Sequence, residues 1–258
     1  MHTWRFTGLE FEILCAAHER DRLPYPLRFR SETTDLSGLK RQRDAAAEAL
    51  LGKHTDELER ALQALFDPEV RIELKGFGGP NVYRFHGAVQ GQAGTAVAQS
   101  PGTAPDTGGD VLMSYGNANH VATLAVTALP RIRAGAQPPI EIRREDLAAD
   151  RDRYVREPYE ISVTRQLDRI FKRERLGFGE ITVFAGPAID ARPGFGRGFW
   201  WMDYADGRYY VKTGDPIIAK PIDPAAMAAE INRLTTLTQR YYREDQEHDE
   251  YLRSQPRY

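Results

Sequence analysis

The sequence predicts an α+β fold in which two quasi-equivalent halves, each reading helices, strand meander and helix, share a central antiparallel sheet. Three observations predict it. Apolar residues recur at the helical period in some stretches and alternate at period two in others, so both element types are present. Strands within each half are joined by short turns, which permit antiparallel pairing and leave no room for crossover helices. The scheme of helix, four short strands and helix occurs twice in 258 residues, enough chain for a proper core. We read a single domain, 1–258, with halves at about 1–135 and 136–258.

A short start at Trp4 to Phe6 precedes Thr7 and Glu10, spaced as a capping box, with Leu9, Ile13, Ala16 and Ala17 on one helical face. In "LPYPLRFR", Pro24 and Pro26 fix φ and forbid helix, which predicts an extended crossing segment. Leu36, Leu39, Ala46, Ala47, Leu50 and Leu51 predict a second helix. Leu58, Leu62, Leu65 and Phe66 predict a third, stopped by Asp67-Pro68. From Glu69 the period becomes two, with Val70, Ile72 and Leu74 alternating against charge, and "GFGGPN" turns the chain. Strands near 81–89, 93–99 and 110–115 follow, the last two separated by "SPGTAPDTGG", which reads as a mobile loop; a helix over 118–129 stops at Pro130.

The break between halves falls in "RAGAQPPIEIRRED", residues 133–146. A charged helix ending in "TRQLDRIFKRERLG" carries Val163, Leu167, Ile170 and Phe171 on one face and stops at Gly177. Strands are expected at 181–185, 198–204, 208–213 and 216–220, then a long helix from about Pro224 with Met227, Ile231, Leu234 and Tyr241 on one face. The tail "REDQEHDEY" is acidic and is expected to fray or stay solvated.

Composition narrows the function classes. A net charge of -2 and a pI near 6.3 give no overall attraction to nucleic acid or anionic membrane. No apolar run reaches the roughly 18 residues of a membrane span, and "MHTWRFTGLE" lacks the pattern of a signal peptide, so a cytoplasmic protein is expected. Cys15 is the single cysteine, which excludes an internal disulfide and a thiolate zinc site. It stands three residues before His18, but a Cys/His catalytic pair needs an orienting group and an oxyanion site, and Cys15 reads as a small buried side chain. The six histidines lack metal-helix spacing. No catalytic residue, cofactor or metal is therefore expected. Residues 165–175 hold five basic side chains against two acids, a pattern read as solvated surface rather than a nucleic-acid site.

The stretch "GFGRGFWWMDYADGRYYVKTG", 194–214, needs its own test. A dinucleotide fingerprint wants glycine at its sixth position and a helix after it; here Phe199 and an aromatic strand follow. The stretch reads instead as a hairpin turning at Asp206-Gly207, with positive φ at both centres. Phe199, Trp201 and Asp203 share one face of its first strand, and Trp200, Met202 and Tyr204 the other.

The order of the Trp-led start, "LPYPL" at 23–27, two helices, "DPEVRIEL" at 67–74 and "FWWMDYADGRYYV" at 199–211 resembles the EspG family of ESX (type VII) secretion-associated proteins. The resemblance runs from about Trp4 to Gln239, with Asp203, Gly207, Arg208 and Tyr209 among its most specific residues. It implies a cytosolic chaperone or adaptor that binds PE/PPE heterodimers at the hydrophobic tip of the PPE subunit, keeps them soluble and presents them for export. It also implies a C-terminal helical bundle and a contact surface on the sheet and C-terminal helices. "LPYPL" and Asp203/Arg208 are read as architectural, an extended crossing and a polar fastening of the hairpin.

Two places are candidates for cargo contact. One is a single outward face of the second sheet, Trp200, Met202, Tyr204 and Tyr210; the other is a pair of helices presenting Leu167, Phe171, Ile231, Leu234 and Leu237. Mutual packing into the core is the competing reading of the helical positions. The expected partner is a PE/PPE-type heterodimer, with neither nucleic acid nor membrane, and the oligomeric state is open between monomer and homodimer. The alternative function is an enzyme with a small-molecule pocket between the two halves.

Overall fold

The computed structural model describes residues 1–31, 33, 35–153, 161–188 and 194–254. β1 (His2–Phe6) leads into α1 (Gly8–Ala17), α2 (Leu36–Leu51) and α3 (Asp56–Phe66). β2 (Val70–Gly78), β3 (Asn81–Gln90), β4 (Ala93–Pro101) and β5 (Gly108–Asn117) follow, closed by α4 (Asn119–Thr127). β6 (Ile140–Ile142), α5 (Arg144–Asp152) and α6 (Val163–Phe171) precede β7 (Gly177–Ala185), β8 (Gly196–Tyr204), β9 (Gly207–Lys212) and β10 (Ile217–Pro221). α7 (Pro224–Ser254) completes the described chain.

All these strands lie in one sheet ordered β1-β5-β4-β3-β2-β7-β8-β9-β10-β6, and each neighbouring pair is antiparallel. At its centre β2 and β7 pair from Val70↔Ala185 to Gly78↔Gly177, which sets Gly76-Phe77-Gly78 against Gly179-Phe178-Gly177. The glycines have a packing reason. A Cβ at Gly76 or Gly179 would collide with the indole of Trp201, which lies across both strands and is fully buried.

One face of the sheet is roofed by α4 and α7. Val70, Ile72, Leu74, Ile181, Val183, Phe199 and Trp201 point into this core, where Val121, Met227, Ile231 and Leu234 meet them. The opposite face holds two separate cores. Under α1 and α3, Phe11, Leu58 and Leu62 pack on Ala88, Val97, Val111 and Met113. Beside α6, Ile170 packs with Met202, Tyr204, Tyr209 and Val211.

Thr7 forms the expected capping box with Glu10, but the buried side of α1 is Glu10, Phe11, Leu14 and Cys15. The expected face is therefore corrected: Ala16 and Ala17 are exposed, because the buried Glu10 carboxylate accepts from Lys53 Nζ at 2.7 Å and turns the helix toward α2's end. α2 is bound along little of its length, with Leu36, Ala47 and Leu51 exposed. The expected 100–109 loop is shorter, since β4 continues to Pro101 and β5 begins at Gly108. β6 lies inside the segment read as a break. α6 ends at Phe171, and Gly177 opens β7 rather than capping a helix; residues 154–160, before α6, lie outside the described residues. The acidic tail continues α7 to Ser254 as an exposed helix, and Tyr241 faces solvent while Thr238 takes the buried position.

The hairpin turns at Ala205-Asp206, not Asp206-Gly207. Tyr204 pairs with Gly207, and Gly207 alone carries positive φ, at 137°. Asp203 and Arg208 face each other across it: the Arg208 guanidinium donates to both Asp203 oxygens at 2.7 and 2.9 Å and to the Pro130 carbonyl at 3.2 Å. Both residues are buried, and this is the polar fastening expected from the sequence.

Candidate functional site

The separation of the two cores on one face leaves a valley between them. Side chains of successive strands fall into rows on this face, because directly paired residues of an antiparallel ladder point the same way. One row is Phe77, Phe178, Met202 and Tyr209; the next is Arg84, Lys75, Glu180, Trp200 and Val211; then come His86, Glu73 and Thr182, and last Arg71 and Phe184. The β2 members Arg71, Glu73, Lys75 and Phe77 belong to none of the apolar cores. Phe77 is 38% exposed, Glu180 is exposed, and Phe178, Thr182, Phe184 and Trp200 are half-buried. On this face, among the described residues, no helix roofs β2, β7 and the first half of β8.

Strands lie about 4.8 Å apart, so three uncovered strands offer a floor of about 10–14 Å, close to the ~10–12 Å diameter of an α-helix with its side chains. One wall rests on the sheet through α3, whose Ala61 carbonyl accepts from Thr95 Oγ1 at 2.8 Å. The other is α6, with Ile170 fully buried and Leu167 and Phe171 half-buried against the same core. The rim of the first wall is the "LPYPL" segment, where Tyr25 is 53% exposed and Lys75 Nζ lies 5.8 Å from its ring centre. Arg175 stands 5.7 Å over Phe178 on the opposite side. The floor thus mixes the aromatics Phe77, Phe178 and Trp200 with the charged Glu73, Lys75 and Glu180, and Arg175 adds a cation at one margin.

At the Arg71 end the valley opens into a cleft of about 1340 Å³ lined by Arg20, Tyr25, Phe66, Glu73, His86 and Pro187, among others. Its Arg71, Glu73 and His86 side chains are engaged. Arg71 Nε donates to Glu73 at 2.9 Å, its NH1 donates to the carbonyls of Gly186 and Pro187 at 2.9 and 3.1 Å, and the guanidinium stacks 4.4 Å over Phe184. Burial pushes the Glu73 carboxyl above the usual range, against the lowering effect of Arg71. Burial pushes His86 down to about 4, so the ring is neutral near pH 7 and its Nδ1–H donates to the Tyr25 carbonyl at 2.7 Å. Cys15 borders the cleft, and burial pushes its thiol up to about 12, far from a reactive thiolate. Such a site can hold a partner by shape, stacking and charge. Among the described residues no cluster of three or more His, Cys, Asp or Glu is placed to hold a metal ion. No helix among them is long and apolar enough to cross a membrane.

The residues singled out from the sequence are dispersed. Trp200, Met202 and Tyr204 share the valley face, but Tyr210 pairs with Trp201 and lies on the other, stacked 4.8 Å from Phe199. A two-residue turn pairs even-numbered with odd-numbered residues across a hairpin, so the single outward face of the four is corrected. Met202 is 8% and Tyr204 2% exposed. Leu167 and Phe171 are on α6, whereas Ile231, Leu234 and Leu237 are on α7 under the opposite face, so the two helices are not a pair. Ile231 and Leu234 are buried in the core and Leu237 is half-buried. Sequence reasoning missed Tyr25, Lys75, Phe77 and Phe178. A weak signal was present: of the three "GFG" triplets, at 76–78, 177–179 and 194–196, the first two pair with each other and set their phenylalanines on the valley side.

Among known protein families, the EspG family matches residues 7–233. No curated protein matches the chain.

Proposed function

The chain belongs to the EspG family, associated with ESX (type VII) secretion, and from that membership we propose that it is a cytosolic, non-enzymatic chaperone for a PE/PPE-type heterodimer. It takes the hydrophobic tip of the helical PPE subunit, keeps the pair soluble and presents it for export. The observation that carries this reading is the valley: an unroofed floor one helix wide, with partly exposed Phe77, Phe178 and Trp200 between two helical walls. Binding of this kind needs about 1,000–2,000 Å² of total buried area with an apolar centre and a polar rim.

Contact is proposed first at Trp200, with Leu167 and Phe171 on the bordering helix. Leu237, on α7, is a secondary candidate. Met202, Tyr204, Tyr210, Ile231 and Leu234 act from the interior by holding these elements in place. We further read the chain as one domain with quasi-equivalent halves at about 1–135 and 136–258. Support comes from the order of strand, helices, four-strand meander and helix in each, the leading strand lying beyond the last strand of its meander. The C-terminal bundle implied by the family would be built around α7 and its neighbour α4.

The test is co-expression with the PE/PPE pair encoded nearest to this chain, followed by size-exclusion chromatography. Co-elution is expected. A folded chain that co-elutes neither with that pair nor with other PE/PPE pairs of the same genome overturns the proposal.

A further inference from the structure

Arg84 is 2% exposed on β3, in the valley row next to Lys75. Its NH2 donates to the Pro105 carbonyl at 2.6 Å, but Nε and NH1 are buried without a hydrogen-bond partner. Among the described residues Arg84 makes no ion pair. A guanidinium withdrawn from water is costly unless paired and hydrogen-bonded, and here one neutral carbonyl does that work. The surroundings add positive charge. Arg28 is exposed, makes no ion pair among the described residues and lies close enough to lower the Arg84 pKa, behind the larger effect of burial. The nearby acid, Asp106, is engaged by Arg30 at 3.3 Å. Lys75 likewise has no ion pair among the described residues. Arg28 and Asp106, whose charges reach Arg84, line the cleft, while Arg84 itself lies behind its wall.

We infer that Arg84, with Arg28 beside it, is a binding site for a carboxylate, supplied by an Asp or Glu side chain of the docked partner. The inference rests on the valley being the docking floor. The Pro105 carbonyl, on the 102–107 turn, occupies one of the guanidinium's donors in the free chain. A partner carboxylate that reaches Arg84 past the cleft wall satisfies Nε and NH1, and Arg28, on that wall, supplies a second charge. The partner's acid would select register along the valley, which the aromatic floor alone does not fix.

The site is tested in two arms. In the first, thermal unfolding of the full chain is followed in sodium glutarate against sodium chloride at equal ionic strength. Wild type is expected to show a saturating rise of about 2–4 °C, the size produced when a ligand is several-fold above its Kd in a chain of this length. Arg84→Met is expected to lose the rise while unfolding within about 2 °C of wild type or above it, because a buried unpaired charge is removed. Arg28→Ala, at an exposed position, is expected to weaken glutarate about tenfold and serves if Arg84→Met does not fold. In the second arm, capture of the PE/PPE pair by Arg84→Met is expected to fall about 10- to 100-fold. Equal glutarate responses in wild type and both variants, or no response in wild type, overturn the carboxylate site. If wild type captures no PE/PPE pair, the chaperone reading falls while the glutarate arm still decides the site.

Discussion

Asp203→Ala would strand the Arg208 guanidinium inside the protein. Arg208 is fully buried and Asp203 nearly so, and the bidentate contact at 2.7 and 2.9 Å supplies its only carboxylate among the described residues. The remaining partners, the Pro130 carbonyl at 3.2 Å, the Met227 sulfur at 3.9 Å and the face of Trp201 at 4.9 Å, are neutral. Breaking a buried pair by removing one member costs about 3–5 kcal/mol, which in a chain of this size lowers the unfolding midpoint by about 6–20 °C. Urea unfolding of Asp203→Ala, Arg208→Met and the double Asp203→Ala/Arg208→Met measures the effect. The double variant should be more stable than Asp203→Ala, because replacing both charges by apolar groups leaves nothing unpaired. A loss under about 1 kcal/mol in Asp203→Ala, or a double variant equal to the sum of the singles, would refute the stranded-charge argument.

Met202→Ala should cost about 2–5 kcal/mol through the cavity left beneath α6, read by the same unfolding experiment. Unchanged stability with lost cargo capture would instead make Met202 a contact residue. Glu69 ties the start of β2 to α7: its carboxylate accepts from Gln239 at 2.5 Å, from Arg243 at 2.8 Å and from the Gly91 amide at 3.2 Å. Burial alone would raise this carboxyl, but those hydrogen bonds outweigh it and hold the folded value below the usual range. The contribution is therefore fully present above the unfolded carboxylate pKa of about 4.3 and is lost as pH falls through the lowered folded value. Glu69→Gln should flatten the acid limb of a stability-against-pH profile, and an unchanged limb would exclude Glu69 as its source.

The strands were the most legible part of the chain. Val70, Ile72 and Leu74 alternate with charge because only one face of β2 meets a roof, and period two exposes that directly. α1 was legible in extent and misread in orientation: Leu9 and Ile13 outrank Cys15 as apolar residues, and nothing local announces that Glu10 will be buried against Lys53. β6 escaped because three residues after two prolines carry no period, and the strand exists through its pairing with β10. The valley itself was not legible. Its floor joins β2 to β7, and that partnership is set by the whole sheet rather than by any local pattern. The hairpin residues were chosen for aromatic content, which marks burial as readily as contact. Met202 proved to be near the roofed end of a row whose open end is Phe77, and Tyr204 lies buried beyond that row.

A sheet of this width has two ends where unpaired backbone groups invite another strand. Both are blunted. At one end stands β6, only Ile140–Ile142, entered through Pro138 and Pro139, which lack the amide that an added strand would need. At the other, β1 spans just His2–Phe6, too short to template a long ladder. Strand addition along the margins, the route by which many sheet proteins capture peptides and by which they also polymerise, is thus poorly served. With little adhesive margin at either end, the route left for selective contact is across the face of the sheet, where the proposed cargo contact lies.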